Sequence, residues 1–370
     1  MKDMKKVVIA SDSFKNTMPS KEIADIFEEE AKKVYPSLQV EKVILGDGGE
    51  NTLDVFANHF VDGQYHSLVV NGPNFQKINA EYYTFDKYAV IELAKASGIA
   101  LTSIKNPMNT TTYGVGELIL DAYKNGYRHF LVALGGSSSN DGGCGLLSAL
   151  GIEFIKNTGK AFIPVGGTLK DIREINDEGL LVKDAHFTIL SDVNNPMFGP
   201  TGAAYVFAKQ KGASPEEIKI LDDSLKHLNE LFIKNTNKDL ANIPGTGAAG
   251  ATSSGMLAFL NSEIVSGIDT ILEMINFGSI IKNADYVFTG EGKLDYQSIN
   301  GKLISGVLKY TNKYQIPTIC VVGRVDKTNL PNNLFERIYT TSNDITDKEQ
   351  IKKFAKDYYR ETIKRIFQEL

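Results

Sequence analysis

The sequence predicts an α/β protein of two domains, a doubly wound parallel sheet interrupted by an inserted mixed α/β domain. Three observations predict it. Both ends of the chain alternate short apolar runs with stretches of helical periodicity. The middle opens instead with strand-like runs joined by short Gly, Pro or Asp connections. The chain has 370 residues, 42% of them hydrophobic, which is more than one core usually organises.

Val7-Val8-Ile9-Ala10 is a β-branched run that stops at Ser11-Asp12-Ser13, the pattern of a buried strand. Ser20, after Pro19, is the expected N-cap of a helix in which Ile23, Ile26, Phe27, Ala31 and Val34 recur until Pro36. Val40 to Leu45 forms a second strand, and Leu53, Phe56, Ala57 and Phe60 suggest a second helix. The alternation resumes with strand Tyr286 to Thr289, a helix around Leu303 to Tyr310, strands Thr318 to Val322 and Arg337 to Thr340, and a final helix from Lys348. Strands connected in this way make a parallel sheet of the flavodoxin-like order 2-1-3-4-5. Ligands bind such a sheet where the loops after its first and third strands meet, here Ser11 to Lys15 and Thr289 to Gly292.

The inserted region begins with runs Ser67 to Val70, Ile78 to Phe85 and Tyr88 to Leu93, which read as antiparallel. A helix from Gly116 to Tyr123, strands Phe130 to Leu134 and Phe187 to Leu190, and an amphipathic helix near Pro215 follow. The expected division is therefore 1–62 with 280–370 for the discontinuous flavodoxin-like domain, and 63–279 for the insert.

Forty basic and 45 acidic residues leave a net charge of -5, without a like-charge run long enough to form a nucleic-acid or membrane-binding tail. Cys144 and Cys320 are far apart and lack CxxC spacing, so no disulfide framework or Cys-type zinc site is expected. Val7 to Ala10 is too short for a signal-peptide core, and no later run is long enough to span a bilayer. A cytoplasmic protein with small-molecule ligands is the expectation.

Five polar clusters each follow an apolar run: Ser11-Asp12-Ser13-Phe14-Lys15, Gly46-Asp47-Gly48-Gly49-Glu50, the loop from Gly135 to Gly143, Ser191-Asp192-Val193-Asn194-Asn195-Pro196, and Thr289-Gly290-Glu291-Gly292-Lys293-Leu294-Asp295. Glycines let backbone N–H groups approach an anion, and a helix N-terminus adds a favourable dipole. The Gly135 to Gly143 loop has both, with Ser137 and Asn140 as extra donors. Phosphoryl transfer needs a lysine on the phosphates, carboxylates for magnesium and often a carboxylate near the attacking hydroxyl. Asp12, Lys15, Asp47, Glu50, Asp141, Asp192, Glu291 and Asp295 are the residues available. An isolated strand-end Asp is as readily a turn or cap residue, and an isolated Lys a solvated charge. Five such clusters are harder to attribute to turns alone.

Generic nucleotide signatures add little. No GxxxxGK[ST] occurs, and the GxGxxG at Gly245 to Gly250 follows Asn242-Ile243-Pro244 where a strand is required. His59, His66, His129, His186 and His227 lack metal-ligand spacing.

Taken together the motifs resemble the bacterial class I glycerate kinases. The match runs through IASDSFKNT at 9–17, GDGGENT at 46–52, TTTYGVGELI at 110–119, LGGSSSNDGGCG at 134–145, SDVNNPMFGPTGAA at 191–204, QKGA at 210–213, GMLAFL at 255–260 and TGEGKLDYQSINGK at 289–302. The resemblance implies ATP-dependent phosphorylation of D-glycerate with Mg²⁺, usually to 2-phosphoglycerate, by two α/β domains with the site in the cleft between them. Lys293 stands where the family commonly has Arg after TGEG, and Gly250 to Gly255 where relatives carry a glycine-richer segment.

On that basis Lys15, Asp192 and Asp47 are the expected catalytic residues. Ser11, Asp12, Ser13, Glu50, Gly135, Gly136, Ser137, Asn140, Asp141, Asn194, Glu291 and Asp295 are expected to bind substrate or nucleotide, with Asp192 and Glu291 on the metal. Expected partners are glycerate and ATP, with a homodimer allowed for and no nucleic acid or membrane. Two other readings stay open: a non-catalytic small-molecule or nucleotide-binding regulator on the same scaffold, and, more remotely, a nicotinamide-dependent oxidoreductase.

Overall fold

Along the chain, the strands of the computed structural model are β1 (Lys6–Ile9), β2 (Gln39–Lys42), β3 (Gln64–Asn71), β4 (Lys77–Phe85), β5 (Tyr88–Glu92), β6 (His129–Ala133), β7 (Glu153–Lys156) and β8 (Ala161–Phe162). They continue as β9 (Ile172–Asn176), β10 (His186–Leu190), β11 (Asn261–Val265), β12 (Tyr286–Thr289), β13 (Lys293–Leu294), β14 (Thr318–Val322), β15 (Arg324–Val325) and β16 (Arg337–Thr340). The structure describes residues 4–14, 17–46, 48–49, 51–296, 298–299, 303–326, 328–331 and 333–370. They divide into two units, Met1–Asp47 with Ile268–Leu370, and Gly48–Gly267.

In the first unit five parallel strands lie in the order β16-β14-β12-β1-β2. Counted along this unit, that is the expected 2-1-3-4-5. A parallel sheet covered on both faces needs strands that are apolar throughout, and β14 shows how the two sides are filled. Ile319 and Val321 join Phe27, Ile363 and Phe367 of the helices Ser20–Val34 and Lys348–Glu369. Cys320 and Val322 face the other way, onto Ile304 and Leu308 of the helix Leu303–Tyr314. Both cysteines are buried free thiols. Ser20 is not an N-cap: Pro19 takes that position, and the Ser20 hydroxyl, already inside the helix, donates to the Leu45 carbonyl.

The second unit carries a six-stranded sheet, β11-β10-β6-β5-β4-β3. β11, β10, β6 and β5 are parallel, while β5, β4 and β3 form an antiparallel meander. The mixed α/β character is as expected, and the helix near Pro215 begins there: Ser214 and Glu217 form a capping box with Pro215 in the first turn. β11 and the small sheet β8-β7-β9 are additions that periodicity did not mark.

Sequence alone sets the borders at 62/63 and 279/280, whereas the units divide at 47/48 and 267/268. Side-chain packing accounts for the difference. Phe56 and Phe60 stack on Phe85 of β4, which ties the helix Thr52–His59 to the second unit. Ile268 and Leu272 pack against Gly306 in the first. Among the described residues no helix is long and apolar enough to cross a membrane.

Candidate functional site

In the first unit the loops leaving the carboxyl ends of β1, β12, β14 and β16 surround a cavity of about 410 Å³. Asp12, Ser13, Phe14 and Thr17 come from the first loop, Glu291, Gly292, Lys293 and Asp295 from the second, Gly323 and Arg324 from the third, and Thr341 and Ser342 from the fourth. Ile351, Ala355 and Tyr358 of the last helix give it one less polar wall. The two loops expected to meet do so through hydrogen bonds: Asp12 N donates to Gly290 O at 2.9 Å, and Ser11 Oγ to the same oxygen at 3.0 Å. Gly290 also lets β14 lie close beside this junction, since a Cβ there would lie 1.8 Å from the Val321 carbonyl oxygen.

The Asp12 and Asp295 carboxylates are each oriented by their own loop. Asp12 Oδ1 accepts from Ser13 N at 2.6 Å and from Ser13 Oγ at 3.3 Å. Asp295 accepts from Ser298 N, from Ser298 Oγ and, at 3.2 Å, from the exposed Lys293 ammonium. Glu291 is half-buried, and its carbonyl oxygen accepts from Gly323 N. Arg324 donates to the Ile345 carbonyl. The cavity therefore offers cations, carboxylates and hydroxyls to a small polar ligand. Lys15, Asp47 and Glu50 lie outside the described residues.

In the second unit the 135–143 loop leaves β6, and the 191–196 loop leaves the adjacent parallel strand β10. Gly135 and Gly136 are half-buried, whereas Ser137, Ser138, Ser139, Asn140 and Asp141 are almost wholly enclosed. The Asp141 carboxylate accepts from Thr112 N and Thr112 Oγ1, both at 2.8 Å, from Gly143 N at 3.1 Å and from Gly145 N at 3.3 Å. Burial pushes its carboxyl up and these donors pull it back. Through these bonds Asp141 holds the loop's shape. Neither end of the Asn140 amide, nor the Ser139 hydroxyl, has a hydrogen-bond partner among the described residues. Buried polar atoms are rarely left so.

The loop is braced from the side by a left-handed turn at 249–251. Ala249, Gly250 and Ala251 all have positive φ, and Gly142 N donates to Gly250 O at 3.1 Å. Only glycine fits at 250, where a Cβ would come within 2.2 Å of the Ser139 carbonyl oxygen. This is the GxGxxG segment, and turns rather than a strand precede it. The half-buried Asp192 is oriented through Oδ1 by Gly267 N at 3.0 Å, and Asn194 is exposed.

Arg324, Thr341, Ser342, Lys211 and Thr112 were not among the expected residues. The first three had a legible signal, because they too follow apolar strands of the predicted sheet. Lys211 and Thr112 lay inside motifs without a role of their own. Among the described residues no group of three or more His, Cys, Asp or Glu is placed to hold a metal ion. Mg²⁺ carried on phosphates does not need such a cage, since it uses one or two carboxylates together with phosphate oxygens and water.

Comparison with known proteins places these motifs. Residues 7–370 match the glycerate kinase family. A glycerate kinase of Bacillus cereus (strain ATCC 10987 / NRS 248) is 37% identical over 369 residues, 98% of this chain and 97% of its own. A glycerate 2-kinase of Escherichia coli (strain K12) is 37% identical over 324 residues, 86% of this chain and 85% of its own. The crystal structure of a Salmonella typhimurium LT2 protein described as a glycerate kinase 2 superposes with a TM-score of 0.85 at 31% identity, covering 99% of this chain and 98% of that one.

Proposed function

The chain belongs to the glycerate kinase family, and on that premise we propose that it transfers the terminal phosphoryl group of ATP to D-glycerate, forming 2-phospho-D-glycerate. The observation that carries the reading is the match over 98% of the chain to a relative named glycerate kinase and over 86% of it to one named glycerate 2-kinase.

The chemistry asks for positioning and charge neutralisation more than for covalent participation. Asp192, its carboxylate turned by Gly267 N, takes the proton of the attacking hydroxyl. The 135–143 loop receives phosphate on its backbone and on the amide of Asn140, whose unmet hydrogen bonds fit a polar ligand. The first-unit cavity supplies Arg324 and Lys293 for an anionic group, and Ser13, Thr341 and Ser342 for hydroxyls. Lys15 and Asp47 keep the catalytic roles their motifs suggest. When bound, Mg²⁺ would neutralise phosphate oxygens, and Glu291 is the carboxylate of the first-unit cavity available to hold it.

ADP release that requires both glycerate and Mg²⁺ supports this reading. Thermal stabilisation by ATP or glycerate with no ADP release would replace it with a non-catalytic binder.

A further inference from the structure

The 135–143 loop is held from behind by a lysine that the proposed chemistry leaves unused. Lys211 ends a stretch in which the π-helical residues Ala204–Ala208 tighten into the 3₁₀ turn Lys209–Lys211, and Gly212, at φ 98°, turns the chain away. Such changes of helix type frequently mark functional positions. Lys211 is only 3% exposed. Its Nζ donates to Ser137 Oγ at 2.7 Å and to Ser139 O at 2.6 Å.

A buried ammonium is costly unless something uses its charge. Among the described residues Asp141 is the charge that acts on Lys211, yet its oxygens are taken by Thr112, Gly143 and Gly145. Other charged groups on the surrounding segments are Lys105, whose backbone abuts Gly212, and Asp222, which accepts from Gly199 N. On the loop itself the Ser139 hydroxyl and both ends of the Asn140 amide are buried and, among the described residues, without partners. A cation and unmet donors on one glycine-rich loop suit an oxyanion.

We propose that Lys211 is the positioning residue of this loop: from inside the fold its ammonium fixes Ser137 and Ser139 and sets a positive charge behind the backbone that receives a phosphate-bearing ligand. The inference rests on the reading of 135–143 as a phosphate loop. Burial brings the Lys211 ammonium down to about 7, so at pH 8 the free protein holds it mostly neutral. An anion arriving on the loop favours the charged form, and binding then draws a proton from solvent.

Calorimetric titration with Mg²⁺-free ADP at pH 8, in buffers of contrasting ionisation enthalpy, tests this, because the phosphates are already ionised there. The wild-type chain takes up a substantial fraction of one proton per ADP. Lys211→Met binds roughly tenfold more weakly, the usual scale for losing a charged hydrogen-bonding partner, and takes up none. Lys211→Arg restores affinity without the uptake, since guanidinium stays charged. Wild-type binding that is proton-neutral overturns the proposal without any variant having to fold, and so does a folded Lys211→Met with wild-type affinity. An active glycerate kinase with proton-neutral ADP binding sinks the role of Lys211 alone. Proton-linked ADP binding without glycerate phosphorylation sinks the functional reading alone, and no ADP binding at all sinks both.

Discussion

The two units solve the same problem, a polar loop at the carboxyl end of a parallel strand, in opposite ways. Around the first-unit cavity, short hydrogen bonds orient carboxylates and hydroxyls that still line open space. In the second unit the 135–143 loop is buried and knitted from Ser137 to Asp141, with Asp141 and Lys211 both used inside it. Open cavity groups are free to choose a ligand, whereas buried ones fix a geometry and make the fold depend on it. Substitutions within the Asp141 network should therefore act first on stability, and those lining the first-unit cavity on affinity.

The largest expected effect is at Asp141. Asp141→Ala strands the Thr112, Gly143 and Gly145 donors in a buried interior, and the loss should be on the order of 3–5 kcal/mol, read as a lower urea midpoint. A loss below about 1 kcal/mol, typical of a surface change, would show that the network is dispensable and remove the contrast. Next is Asp192→Asn, which keeps the acceptor for Gly267 N but loses the charge. Turnover should fall about 100-fold or more, the usual scale for a general base, with the melting temperature unchanged; near-normal kcat would take Asp192 out of the mechanism.

Arg324→Ala should raise the KM of one substrate roughly tenfold, as expected for losing charged hydrogen bonds, with little change in melting temperature. Arg324→Lys should recover part of that affinity but not the planar fork. A large stability loss without a KM change would make Arg324 a brace for the 345 carbonyl. The smallest effect is at Ala249, half-buried with φ 52° and ψ 43°. Left-handed geometry costs a non-glycine residue about 1–2 kcal/mol, and glycine returns part of this as chain entropy. Ala249→Gly should therefore raise stability by less than about 1 kcal/mol, visible as a small rise in melting temperature; a fall would show that the methyl's packing outweighs the strain.

The centre of the first-unit sheet was legible because its strands are almost wholly buried and largely apolar: Thr318–Val322 and Tyr286–Thr289 appear at the expected bounds, as does the more exposed edge strand Arg337–Thr340. The strand Val40 to Leu45 shifted to Gln39–Lys42, since β2 is an edge strand whose residues are exposed or only half-buried. β11, with Glu263 in its middle, escaped notice for the same reason. The strand-end clusters were legible as polar loops, but not what each does. Asp12 and Asp141 look alike in sequence, and burial assigns one to a cavity wall and the other to a closed network. Lys211 was invisible as a functional residue because a lone Lys is usually solvated, and only a change of helix type turns it inward.

The most direct test of the central claim is ³¹P NMR of a reaction of this chain with Mg²⁺, ATP and D-glycerate. The account predicts a new phosphomonoester signal, dependent on glycerate, split into a doublet by the single proton on C2. A triplet would place the phosphate on C3 and contradict the proposed product, and ATP loss to inorganic phosphate alone, or no reaction, would contradict the kinase itself.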